Sequence, residues 1–127
     1  MTIIQQLQTT LVETGYFDSD RSLRAVCGLD QRVYQWRKVL PEAGNQIERV
    51  LKTATFLIDQ RHHETRENGL ICLVQVFRDS VDEEDMLHRH LSALLTMLPD
   101  ELDTLRTQLS LSSGQVIPLQ RPPRAEY

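Results

Sequence analysis

Leu70-Ile71-Cys72-Leu73-Val74-Gln75-Val76-Phe77 is the stretch on which the fold turns. It is apolar nearly all round, so periodicity alone does not separate a central helix from a buried strand. No second strand candidate stands elsewhere in the chain. An unpaired buried strand would leave its N–H and C=O groups without partners. The stretch therefore reads as a buried helix, and the chain as all-α.

Working outward, the polar run His62-His63-Glu64-Thr65-Arg66-Glu67 separates it from a helix capped by Asn45. That helix carries Ile47, Val50, Leu51, Ala54, Leu57 and Ile58 at offsets 0, 3, 4, 7, 10 and 11, the cleanest amphipathic pattern in the chain. Further upstream, Asp30 is placed to cap a helix carrying Val33, Trp36, Val39 and Leu40, closed by Pro41. Asp18-Ser19-Asp20 opens a short helix with Leu23, Val26 and Cys27 inward, ending near Gly28. The first helix is expected over 2–14, with Ile4, Leu7 and Leu11 on one face and Gly15 as its stop. Downstream, Ser80-Val81-Asp82-Glu83 matches a capping box. It would open a helix with Leu87, Leu91, Leu94, Leu95 and Leu98 on one face. Pro99 is expected to interrupt that helix, with Leu102, Leu105 and Leu109 forming a seventh if the chain resumes. The expected architecture is a compact bundle of six helices, or seven, over residues 1–111, with its core at about 3–98. Residues 112–127, with three prolines and no periodicity, read as an extended or disordered tail or linker.

The chain has 127 residues, 40% of them hydrophobic and 25% charged, which suits one ordinary domain with a buried core. Its net charge of −4 is a poor prior for nucleic-acid binding, because phosphate contacts need clustered Lys and Arg. No apolar run approaches the roughly 20 residues that span a bilayer. Cys27 and Cys72 lie far apart inside apolar segments and read as buried thiols in a reducing cytoplasm.

Little in the pattern points to catalysis. His62 and His63 are adjacent, and His88 and His90 are two apart on a helix, so neither pair has the i, i+4 spacing of a helical metal site. Glu84 and His88 have it, but such a pair usually makes only a surface contact. No phosphate-binding glycine loop occurs, and no cofactor or catalytic residue is expected. What remains is charge segregation. Asp79, Asp82, Glu83, Glu84 and Asp85 form an acidic patch; Arg24, Arg32, Arg37, Lys38, Arg49 and Lys52, with Arg21, form a basic one. Complementary patches on different faces permit head-to-tail contacts between copies. Trp36 reads first as a core anchor and second as an interface hot spot.

Several motifs carry a resemblance. Gly15-Tyr16-Phe17-Asp18-Ser19-Asp20-Arg21-Ser22-Leu23-Arg24 resembles the opening of bacterial effector-associated domains. So do Trp36-Arg37-x-x-Leu40-Pro41-Glu42-Ala43, Phe56-Leu57-Ile58-Asp59-Gln60-Arg61, Glu67-Asn68-Gly69-Leu70-Ile71 and Asp85-Met86-Leu87-His88-x-x-Leu91, in order over about residues 3–98. These modules have a death-like helical fold and stand at the N-termini of NACHT-type NTPases and of caspase-like or trypsin-like effectors. The resemblance implies a homotypic adaptor in bacterial immune or antiphage signalling. Its partner would be a like domain, or an effector or signalling NTPase bearing one. The competing reading is a small helix-turn-helix regulator with Arg32, Gln35, Arg37 and Lys38 facing DNA.

Overall fold

A computed structural model describes residues 2–113, with side chains to residue 111. The described residues form five α-helices and one 3-10 turn. The helices are α1 (Ile3–Glu13), α2 (Asp20–Cys27), α3 (Gln46–Leu57), α4 (Gly69–Asp79) and α5 (Met86–Ser113). The all-helical expectation holds for these residues. The count of six, or seven, does not, and it fails in two places.

The first is residues 30–40, where only Tyr34–Trp36 is helical, and only as a 3-10 turn. Its hydrogen bonds are all i to i−3: Val33 N–H to the Asp30 carbonyl, Trp36 to Val33, Arg37 to Tyr34 and Val39 to Trp36. β-branched and aromatic residues resist the α-helix here, and Asp30 bonds its own neighbourhood instead, taking the Arg32 N–H at 2.9 Å. The turns drop Val33, Trp36 and Leu40 into the core but leave Val39 57% exposed, against the expectation that it points inward.

The second is Pro99, which does not break α5. The proline lacks an N–H for the Leu95 carbonyl, but it sits on the exposed side of the helix, where a freed carbonyl is tolerated. On the buried side Leu91, Leu94, Leu98, Leu105 and Leu109 keep one stripe in phase across it. The helix runs on to Ser113, so the expected tail begins later than residue 112; its remainder, from 114, lies outside the described residues. The start of α5 also differs. Ser80 closes α4 instead, its hydroxyl donating to the Phe77 carbonyl at 2.7 Å. Asp85 caps α5, taking the Leu87 N–H at 2.9 Å.

Elsewhere the local signals match. Thr2 and Gln5 form a reciprocal capping box on α1, and Gly15 leaves it at φ +78. Ser19 caps α2 and Asn45 caps α3. Helix α4 is the centre: Leu70, Ile71, Cys72, Leu73, Val74, Val76 and Phe77 are all buried. A helix apolar on every side needs neighbours on every side. Leu91, Leu94 and Leu98 of α5 are also fully buried in the same core, which takes in Leu7 and Leu11 of α1 and Val50, Ala54 and Leu57 of α3. Phe77 sits beneath Tyr16 and edge-on to Phe17, with ring centres 5.0 and 5.8 Å away.

Gly69 opens α4 in a tight place. A Cβ there would stand 2.8 Å from the Leu57 carbonyl oxygen and 3.3 Å from the Trp36 ring, so glycine lets the chain pass. Asn68 locks the same junction. Its side chain takes the Leu70 N–H and donates to the Ile58 carbonyl, both at 2.9 Å.

Candidate docking surfaces

Helix α2 and the turns after it bring Arg21, Arg24, Arg37 and Lys38 around one shallow concavity of about 590 Å³, floored by Ala25. The local fold explains the grouping. Arg21 and Arg24 share the outer face of α2 at i, i+3. Arg37 is laid across Tyr34, its guanidinium carbon 3.5 Å from the ring centre, and donates to the Tyr34 carbonyl at 2.9 Å. Arg24 meets Glu42 at 3.2 Å, a pair open to water and correspondingly weak.

The other residues of the expected basic patch do not join this group. Arg49 is buried, at 6% exposure, and is a structural clasp. Its guanidinium reaches Asp20 at 2.6 Å, the Phe17 carbonyl at 2.8 Å and the Ala43 carbonyl at 2.7 Å. Its hydrogen bond holds the Asp20 carboxyl below its usual value. Arg32 is gripped by Asp30 at 2.9 Å and by Asp79 at 2.8 Å. One member of each expected patch therefore neutralises the other within the molecule. Lys52 pairs with Glu48 one turn away and lies on a different surface.

The acidic patch is reduced in the same way. Asp79 is committed to Arg32 and Arg78. Asp82, Glu83, Glu84 and Asp85 form the exposed loop between α4 and α5 rather than the first turn of a helix. Among the described residues none of these four makes an ion pair, and Met86 beside them is 60% exposed.

One surface was not anticipated. Along the outer side of α3, Pro41, Ile47, Leu51, Thr55 and Phe56 line an apolar trough of about 690 Å³, with Glu48 and Lys52 among its walls. The clue lay in the α3 stripe, which is wider than the core can use. Burial of Arg49 and Thr53 turns α3 so that Val50, Ala54, Leu57 and Ile58 face inward while Ile47 stays 48% exposed.

Trp36 is buried at 3% exposure and is a core anchor. His62 is buried too, although it belongs to a polar run. Its Nδ1 accepts the Glu64 and Thr65 N–H groups at 3.1 and 3.3 Å, which leaves the proton on Nε2, 3.3 Å from the Gln31 carbonyl. His90 meets Glu13 at 3.1 Å, and His88 lies 3.5 Å from Ser92. No group of three or more metal-ligating side chains occurs among the described residues. Burial pushes the Cys27 thiol up to about 12 and the Cys72 thiol up to about 11, so neither is a thiolate near neutrality. Among the described residues no helix is long and apolar enough to cross a membrane.

Compared with known protein families, characterised proteins and solved structures, the chain matches none.

Proposed function

We propose that this chain is a non-catalytic docking module of the death-like, effector-associated class it resembles. It joins like copies and thereby recruits or clusters an effector, in a bacterial immune pathway. The observation that carries the reading is the pair of oppositely charged surfaces. The Arg21, Arg24, Arg37 and Lys38 concavity offers cations, and the 82–85 loop offers carboxylates with no ion-pair partner of their own among the described residues. The loop of one copy fits the concavity of the next. Because the two surfaces differ, the contact is heterologous and extends into rings or open arrays. Such contacts govern orientation and encounter rate, and salt screens them within about 8–10 Å.

Light scattering across a salt series tests this. Self-association at low salt should weaken as salt rises. Glu83→Arg with Glu84→Arg should abolish it, and so should Arg37→Glu with Lys38→Glu. Mixing the two double variants should restore association between unlike copies. A strict monomer at high concentration and low salt would overturn the reading.

The helix-turn-helix alternative has less support. Residues 31–40 would have to supply the helix laid in the major groove, and they hold three residues of 3-10 helix. A gel shift at low salt separates the two.

A further inference from the structure

Within the loop-to-concavity contact proposed above, on which this inference rests, we infer that the centre is apolar: Met86 of one copy seats on Ala25 and Leu29 of the next, inside a ring of charge.

A single exposed apolar side chain is ordinary and needs no partner. The placement of the exposed ones is what points to a contact. Six large apolar side chains are well exposed among the described residues. Three of them, Leu29, Tyr34 and Val39, border the basic concavity, and Met86 adjoins the acidic loop. The two oppositely charged surfaces thus each carry apolar area of their own.

The geometry of α2 turns Leu29 toward the concavity. Arg21, Ala25 and Leu29 follow one another at i+4 steps, which is one face of a helix. Gly28 closes α2 with right-handed helical backbone, and the Leu29 N–H still bonds the Val26 carbonyl, so the helical path carries on to Leu29. Ala25 floors the concavity, and Leu29 stands 86% exposed one turn beyond it. A Cβ at Gly28 would lie 3.9 Å from Arg37 Cδ, so the Arg37 stem runs close to this end of α2. Tyr34 lies under the guanidinium of the same arginine.

On the other surface, Met86 is the first residue of α5 and follows the four carboxylates directly. Asp85 is spent on capping α5 through the Leu87 N–H, which fixes where Met86 leaves the loop. Among the described residues Asp82, Glu83 and Glu84 make no ion pair, and neither do Arg21, Arg37 and Lys38. Arg24 keeps Glu42 and is not called on. Free charge of opposite sign therefore surrounds apolar surface on both partners. In such a contact the apolar centre is sheltered from water and the charged rim sets orientation. The two parts answer differently to salt: ions screen the rim, whereas an apolar contact does not weaken as salt rises.

Sedimentation equilibrium of the full chain across a salt series tests it. Met86→Ala should lower the association constant roughly fivefold to tenfold, by the same factor at every salt concentration. Leu29→Ala should do likewise. Met86→Leu, which keeps the apolar volume, should hold the parent value. Both side chains are exposed, and unchanged thermal melts would confirm that each variant is folded. Met86→Ala combined with Leu29→Ala should weaken association by less than the product of the single effects, because the two side chains share one contact. An associating parent that Met86→Ala matches would overturn the apolar centre and leave the charged contact standing. A loss that Met86→Leu shares would overturn it as well. Single effects that simply multiply would overturn the seating of Met86 on Leu29. A parent that stays strictly monomeric would overturn both this inference and the docking reading beneath it.

Discussion

The seam between α4 and α5 and the connection from Gly28 to Asn45 are held by different forces. At the seam, Leu70, Leu73, Phe77, Leu91, Leu94 and Leu98 are fully buried against one another's elements. The connection has three apolar anchors and is otherwise fastened by polar clasps. Arg32 ties it to Asp79, Arg49 takes the Ala43 carbonyl, and His62 reaches the Gln31 carbonyl. Apolar contact is cheap to form and indifferent to direction, so a helix face suffices. A clasp needs a donor at one particular carbonyl, but it can hold backbone that belongs to no helix.

The contrast can be broken most forcefully at the seam. Phe77→Ala removes a ring with no exposed surface and should cost about 4 kcal/mol, read from urea midpoints, with no dependence on pH. A loss under about 1 kcal/mol would mean the seam closes over the void.

Arg49→Met tests the clasps. It keeps most of the volume but strands the Phe17 and Ala43 carbonyls and the Asp20 carboxylate, so a cost of about 3 kcal/mol is expected. This loss should be pH-dependent. Arg49 lowers the Asp20 carboxyl below its ordinary 3.8, and Arg32 likewise lowers Asp30. At Asp79 burial pushes upward, but Arg32 and Arg78 outweigh it. A depressed carboxyl stabilises the fold fully above its unfolded value and loses that contribution as pH falls through its folded one. The parent chain should therefore lose stability below about pH 4, and Arg49→Met should lose less over the same range because the part of the Asp20 contribution that Arg49 supplies is already gone.

Gly69→Ala probes where the two regions meet, under Trp36. The added methyl would press on the Leu57 carbonyl, and about 2 kcal/mol of destabilisation is expected in thermal melts. A stabilising effect would show that the junction can open without loss.

The same contrast explains what could be read from the sequence. The buried helix over 70–77, the caps at Ser19 and Asn45 and the glycine stop at residue 15 follow from local chemistry and periodicity. Pro99 misleads because a local rule was set against a longer-range one. Leu91, Leu98 and Leu105 repeat every seven residues through it, and that phase carries the helix across. The 30–40 stretch misleads because its conformation depends on groups 47 and 31 residues away, Asp79 and His62, which no local window contains. Of the surface residues, Arg24, Arg37 and Lys38 are gathered as expected. Arg49 and Arg32 are not, because charge counts do not tell a solvated guanidinium from one spent on buried carbonyls. Ile47 and Leu51 were visible as apolar residues, but their exposure depends on the rotation of α3.

Helix α1 begins where α5 ends: the Ile4 N–H donates to Gln108 of α5 at 3.1 Å. A protein fused ahead of Thr2 and another fused behind Ser113 would thus emerge side by side from one pole of the helical body. A circular permutant sealed across that pole by a short glycine linker, and reopened in the 82–85 loop, should keep the hydrophobic interior intact while handing its cargo to the opposite pole.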